Sequence, residues 1–139
     1  MSETIGGACS CGAVRFELTP PSRFCAHCHC QNCRRAHGAA FVTWAGFKKE
    51  QVVIHGEEAL THYTTDTDAV RSFCKRCGST LFYSGPRWPD EWHVAVGNVE
   101  GELDREPAAH VYVDHKAAWW TIDDGLPQLG GKSGVERKS

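Results

Sequence analysis

No stretch of this 139-residue chain approaches the roughly 18 consecutive apolar residues that a membrane-crossing helix needs, so no membrane role is expected. The opening residues, Met1 to Gly7, lack the basic segment and following apolar run of a secretory signal. The expected compartment is therefore a reducing one, the cytoplasm. Positive charge is also scarce: 15 Lys and Arg face 17 Asp and Glu, for a formal net charge of -2. Lys48-Lys49 and Arg34-Arg35 are short solvated pairs and not a basic stripe, which argues against a nucleic-acid partner. Internal repeats and dividing linkers are absent too. With 41% hydrophobic residues the chain can bury one core. One domain is expected over residues 1–129, followed by a polar, glycine-rich and flexible tail at 130–139.

What the chain has in excess is cysteine. Eight are present, as Cys9-x-Cys11, Cys25-x-x-Cys28-x-Cys30-x-x-Cys33 and Cys74-x-x-Cys77. In a reducing compartment such clusters are metal ligands before they are disulfides. Pairing within Cys-x-Cys or Cys-x-x-Cys would also close small, strained loops. Soft thiolates gathered in a small volume suit a soft or borderline cation such as zinc.

Strand signals dominate the rest. Val14, Phe16 and Leu18 alternate with Arg15 and Glu17, the pattern of a half-buried strand. Further strands are expected at 40–47, 52–54, 59–63, 70–73, 80–83, 92–96, 110–113 and 118–122. Helix is confined to one or two turns within 30–37. The fold class is mainly β, a single domain of antiparallel sheets carrying metal knuckles.

Two flanking pairs add up to four ligands. Cys9, Cys11, Cys74 and Cys77 would complete a tetrahedral zinc shell, and four thiolates leave no position for substrate, so this site is read as structural. Gly12 and Gly78 follow the two knuckles and supply the positive φ that such tight turns demand.

The middle cluster is different. Cys28, Cys30 and Cys33 offer three thiolates within six residues, and catalytic zinc sites keep three protein ligands with a fourth position open. Three thiolates make the metal a poor Lewis acid, better suited to an incoming thiolate than to splitting water. Cys25 is the complication. As a fourth ligand it would close the site; as a structural or free thiol it leaves the site open. An iron–sulfur cluster is disfavoured because the spacing matches no ferredoxin pattern. His27, His29 and His37 are further candidate ligands, with a surface or supporting role the plainer reading of each.

On these residues the chain resembles the glutathione-dependent formaldehyde-activating enzyme family, also called the CENP-V/GFA domain family. The matching motifs are Gly-Ala-Cys9-Ser-Cys11-Gly-Ala-Val-Arg-Phe, Cys28-His-Cys30-Gln-Asn-Cys33-Arg-Arg and Arg71-Ser-Phe-Cys74-Lys-Arg-Cys77-Gly-Ser-Thr-Leu. His110-Val-Tyr-Val, Trp119-Trp120 and Asp123-Asp124-Gly-Leu-Pro127 fit its usual ending. The resemblance implies an Mss4-like fold with two bound Zn2+. It places a structural zinc on Cys9, Cys11, Cys74 and Cys77, and a catalytic zinc on Cys28, Cys30 and Cys33. It further implies a carbon–sulfur lyase, an S-(hydroxymethyl)glutathione synthase-like enzyme joining glutathione to formaldehyde. Small-molecule thiols and aldehydes are then the partners, and glutathione the co-substrate. Cys25 is an addition to the family motif.

Glutathione carries two carboxylates, which call for arginine. Arg34 is the candidate for one of them, with Arg35 and Arg71 alongside, although exposed charge with local ion pairs is the plainer reading of each. His110 and His115 are candidate proton relays, with structural roles favoured by their strand position. The competing function is a non-catalytic zinc-ribbon module that binds a protein partner and holds both zincs structurally.

Overall fold

A computed structural model of the protein describes residues 3–137. In chain order its first elements are β1 (Ile5–Ala8), β2 (Arg15–Leu18), β3 (Phe24–Cys28), α1 (Gln31–His37) and β4 (Val42–Lys48). There follow β5 (Val52–His55), β6 (Leu60–Thr64), β7 (Val70–Cys74), β8 (Thr80–Gly85) and β9 (Trp88–Ala95). The last are β10 (His110–Val111), β11 (Leu129–Gly130) and β12 (Glu136–Arg137). The protein is mainly β. Among the described residues no helix is long and apolar enough to cross a membrane.

The chain divides into two compact units interleaved in sequence. The first takes the residues up to Arg23 and Ala45–Arg105; the second takes Phe24–Trp44 and the residues from Glu106 onward.

In the first unit β1, β2 and β5 form an antiparallel sheet, with Gly7 opposite Phe16 and Phe16 opposite Ile54. The alternation in β2 does what its pattern requires: Phe16 and Leu18 are buried while Arg15 and Glu17 are exposed. β6, β7, β8 and β9 make an antiparallel meander, pairing Leu60 with Cys74, Ser72 with Phe82 and Phe82 with Val94. The core gathers Val14, Phe16, Leu18, Phe47, Leu81, Phe82 and Val94, together with Cys9 and Cys74. Phe16 and Phe82 meet edge to face, with centroids 5.3 Å apart. Each such side chain contributes about 1.5–3 kcal/mol by leaving water. Two cysteine side chains thus belong to the same core as the aromatic rings, which ties the knuckles to the fold.

The second unit is built differently. β3 lies between β10 and β4 in strand order, and β10 runs parallel to it, with His110 opposite His27 and Val111 opposite Cys28. His29 continues this ladder, its N–H donating to the Val111 carbonyl at 2.9 Å. The chain then turns into α1, which ends at Gly38 with φ 59°. Arg34, Arg35 and His37 occupy its last turn, where the helix dipole favours cations.

The expected strand at 118–122 does not form. Trp120 N–H instead closes a turn on the Ala117 carbonyl at 3.1 Å, and the Lys116 ammonium bonds the Trp120 carbonyl. Among the described residues no strand pairs with this apolar segment, and Trp119 is left 71% exposed. β9 begins at Trp88, earlier than the apolar pattern from Trp92 indicated. In the segment expected as a tail, β11 and β12 pair as a short hairpin.

Candidate metal centres and thiol site

Four cysteines converge in the first unit. The Sγ atoms of Cys9, Cys11, Cys74 and Cys77 all lie within 4.8 Å of one another, a set that could hold a metal ion. Cys9 comes at the end of β1's hairpin arm and Cys74 closes β7, so each knuckle starts from a strand end. Both turns have the same construction. Gly12 N–H donates to the Cys9 carbonyl at 3.1 Å, and Gly78 N–H to the Cys74 carbonyl at 2.8 Å. Gly12 and Gly78 both stand at φ 80°.

Backbone donors also face the sulfurs: Val14 N–H reaches Cys9 Sγ at 3.3 Å and Arg76 N–H reaches Cys74 Sγ at 3.4 Å. Such donors stabilise thiolate over thiol. Ser79 joins the halves, accepting from Ser10 N–H at 3.0 Å while its hydroxyl lies 3.2 Å from Cys77 Sγ. That hydroxyl, with the Ser79 backbone, pulls the Cys77 thiol down to about 5. The donor set has the softness and number that a tetrahedral zinc takes.

The second unit carries the other thiols. Cys28 closes β3, Cys30 caps the N-terminus of α1 and Cys33 is the buried residue of its first turn. Cys33 Sγ lies 3.5 Å from Cys28 Sγ. The Cys28 and Cys33 thiols hold Cys30 well below the ordinary thiol range, helped by the backbone N–H groups of Cys33 and Asn32. Cys28 is pushed the other way by Cys30, by Cys33 and by burial. Cys30 thus readily carries negative charge while Cys28 keeps its proton, as expected of closely coupled thiols.

Cys25 does not join them. It is buried in β3 three residues before Cys28, and an odd separation along a strand puts two side chains on opposite faces.

The same alternation sorts the histidines. His27 and His29 take the face opposite Cys28 and meet His110 across the parallel ladder. His29 Nε2 lies 2.8 Å from His110 Nδ1, and His110 Nε2 lies 2.8 Å from Asp124 Oδ2. His27 Nδ1 is paired with Thr43 Oγ1 at 2.8 Å. Phe41 packs against His27 and His29, with centroids 4.9 and 5.0 Å away. Burial, reinforced by His110, lowers the His29 pKa to about 4. His110 in turn holds the Asp124 carboxyl below its usual range. His29 Nδ1 is buried with no hydrogen-bond partner among the described residues. In the sequence these histidines read as separate supporting residues, and nothing there gives Asp124 a role. The usable signal was the run His27-Cys28-His29-Cys30, which alternates two chemistries with the period of a strand.

Arg34 donates to the His115 carbonyl at 2.8 Å, and with Arg35, Gln31, Gly38, Ala39 and Trp119 it lines a cavity of about 320 Å³. Arg71 is not an exposed charge. It is buried in the first unit with its guanidinium 5.0 Å from the centre of the Tyr83 ring. His37 packs edge-on to Trp44, and His115 lies against Tyr112.

Comparison with known proteins adds an independent line. The family model described as glutathione-dependent formaldehyde-activating enzyme matches residues 4–115. A protein of Halomonas elongata described as a "Putative glutathione-dependent formaldehyde-activating enzyme" is 32% identical over 127 residues, covering 86% of this chain and 81% of its own. A Schizosaccharomyces pombe protein described as an uncharacterized lyase is 25% identical over 135 residues, covering 88% of this chain and 95% of its own. A crystal structure of a Rhodobacter sphaeroides protein superimposes with TM-score 0.61 at 31% identity, covering 71% of this chain and 91% of that one.

Proposed function

The chain belongs to the glutathione-dependent formaldehyde-activating enzyme family, and from that premise we propose that it is a zinc-dependent carbon–sulfur lyase-type enzyme joining glutathione, or a related thiol, to formaldehyde or another small aldehyde. The observation that carries this reading is the placement of Cys25. With Cys25 on the far face of β3, the second thiol cluster offers three donors, Cys28, Cys30 and Cys33. Three donors leave a tetrahedral cation one position for an incoming ligand. Cys9, Cys11, Cys74 and Cys77 supply four and serve structure alone.

A zinc ion held by Cys28, Cys30 and Cys33 would bind the substrate sulfur as a thiolate, lowering the cost of its ionisation. In the overall reaction that sulfur forms a bond to the aldehyde carbon. The carbonyl π pair passes to oxygen, and oxygen takes up a proton equivalent to the one the thiol gave. The chain's own contribution is placement. α1 brings Cys33 and the arginines Arg34 and Arg35 into one short element, so a thiol peptide at the cysteines has guanidinium groups in reach of its carboxylates. Arg34 also fixes the 113–115 turn through the His115 carbonyl, which leaves Arg35 the freer of the two.

Zinc X-ray absorption tests the reading directly. The expected average shell combines one S4 site with one site of three sulfurs and a light atom, and added glutathione converts the light atom to sulfur. S4 shells at both sites before any thiol is added would overturn it in favour of a non-catalytic zinc-ribbon module. A panel of thiols and aldehydes, each corrected for its uncatalysed background, then identifies the substrate pair.

A further inference from the structure

Beyond the two cysteine sets, we propose that His27, His110 and Asp124 form a third metal site, for a borderline divalent transition-metal ion. One ligand atom from each of the three lies within 4.8 Å of the others. The site is distinct from the thiol cluster because β3 sends Cys28 to its opposite face, whereas cross-strand partners His27 and His110 share one.

The imidazoles are arranged as metal ligands are. A coordinating histidine has its second ring nitrogen tied to a partner that fixes tautomer and ring orientation. Here His27 Nδ1 is tied to Thr43 Oγ1 and His110 Nδ1 to His29 Nε2, each at 2.8 Å. That leaves the Nε2 atom of each ring as the one available for coordination. His110 is almost wholly buried, so its ring cannot swing away. Asp124 is steadied from behind, its Oδ1 accepting from Leu126 N–H at 3.1 Å.

The spacing fits a particular coordination. His110 Nε2 and Asp124 Oδ2 are 2.8 Å apart. Two ligands at metal distances near 2.0–2.1 Å, set at a right angle, stand about 3 Å apart. The pair therefore matches neighbouring corners of a five- or six-coordinate ion. Two imidazoles and one carboxylate on adjacent corners leave open positions for water or an oxygen ligand, a set suited to Fe2+ or Zn2+ and not to the softest cations. Asp124 is the exposed member, so that open side faces solvent.

The test is a Co2+ titration of protein whose cysteine sites are already filled with zinc. One further equivalent is expected, with weak visible bands and none of the intense near-ultraviolet absorption of a thiolate–cobalt bond. His27→Gln and Asp124→Asn should each weaken this uptake by roughly a hundredfold or more, since losing even an outer partner of a ligand costs up to that factor. Loaded with two equivalents of zinc, the Asp124→Asn protein should match the wild-type thermal midpoint. Asp124 is exposed, so Asp124→Asn is expected to fold even where His27→Gln does not. No further equivalent in the wild type, undiminished uptake by the Asp124 variant, or a thiolate band accompanying the added cobalt would each overturn the proposal.

Discussion

His29 Nε2 lies 2.8 Å from His110 Nδ1, and both rings are buried. The contact spans 81 positions of sequence and exists because β10 runs parallel to β3 in the register that sets His110 opposite His27. It makes β3 a strand with two chemistries. Imidazoles and Cys25 take one face and Cys28 the other, so a single strand keeps the histidine cluster apart from the Cys28 thiol.

The two cysteine sets should respond differently to loss of a ligand. Cys74 is wholly buried within the aromatic core of the first unit. Cys74→Ser is expected to abolish folding, because zinc held by such a set contributes on the order of 10 kcal/mol of folding free energy. Cys30→Ser should leave a folded protein that has lost one zinc and its thiol-dependent activity. Circular dichroism and zinc stoichiometry on both variants check this, and equal unfolding would remove the division into structural and catalytic sites.

Cys25→Ala should leave metal content unchanged. The side chain occupies the face of β3 opposite Cys28, so its removal takes away buried volume and no ligand. The expected cost is on the order of 1 kcal/mol in a chemical denaturation curve. Loss of one zinc equivalent would return Cys25 to the ligand set.

How much of this was legible beforehand follows the range of each interaction. The knuckles were legible because their spacing and their glycines are local, and Gly12 and Gly78 do take φ 80°. The alternation of Phe16 and Leu18 likewise reads directly as a half-buried strand. β3 was missed as a strand because cysteine and histidine carry little β preference of their own, so tertiary packing decides it. Asp124 was missed because its partner His110 is set by strand order, which no local pattern encodes. Arg71 looked like surface charge, yet aromatic stacking on Tyr83 holds it inside.

Arg35→Ala should raise KM for glutathione and leave kcat nearly unchanged. Arg35 lines the cavity along α1 without being one of the thiol ligands, so it would hold the substrate equally in ground and transition states. One lost charge-assisted hydrogen bond of about 1.5–3 kcal/mol corresponds to a KM increase of roughly tenfold or more. A thiol lacking carboxylates should show no difference between the two proteins. Steady-state kinetics with both thiols distinguishes a binding role from general surface charge.

Gly7→Ala should destabilise the first unit despite adding only a methyl group. A Cβ there would lie 2.1 Å from Phe16 Cζ and 2.7 Å from the Asn98 carbonyl oxygen. Phe16 cannot retreat, because its ring is buried against Phe82. Overpacking of this kind costs typically about 1–3 kcal/mol. A urea midpoint equal to that of the wild type would mean that the β1–β2 pair yields more easily than its packing implies.

The buried His93 should make the first unit sensitive to acid. Its ring packs against both Trp88 and Tyr83, and burial pushes its pKa below the ordinary value, with Glu91 at 3.1 Å partly opposing the shift. The unfolded chain therefore takes up this proton at a higher pH than the folded one. The stability that the neutral ring contributes is intact above the unfolded value of about pH 6.5 and is lost as pH falls through the folded one. His93→Gln removes that proton uptake while keeping a polar side chain beside Glu91. The wild-type advantage in urea denaturation should hold constant between pH 8 and 7, then shrink between pH 6.5 and 5. Metal release on acidification affects both proteins and cancels in the difference. A difference that stays flat down to pH 5 would show that the folded protein accepts the proton as readily as the unfolded chain, and that Glu91 fully offsets burial.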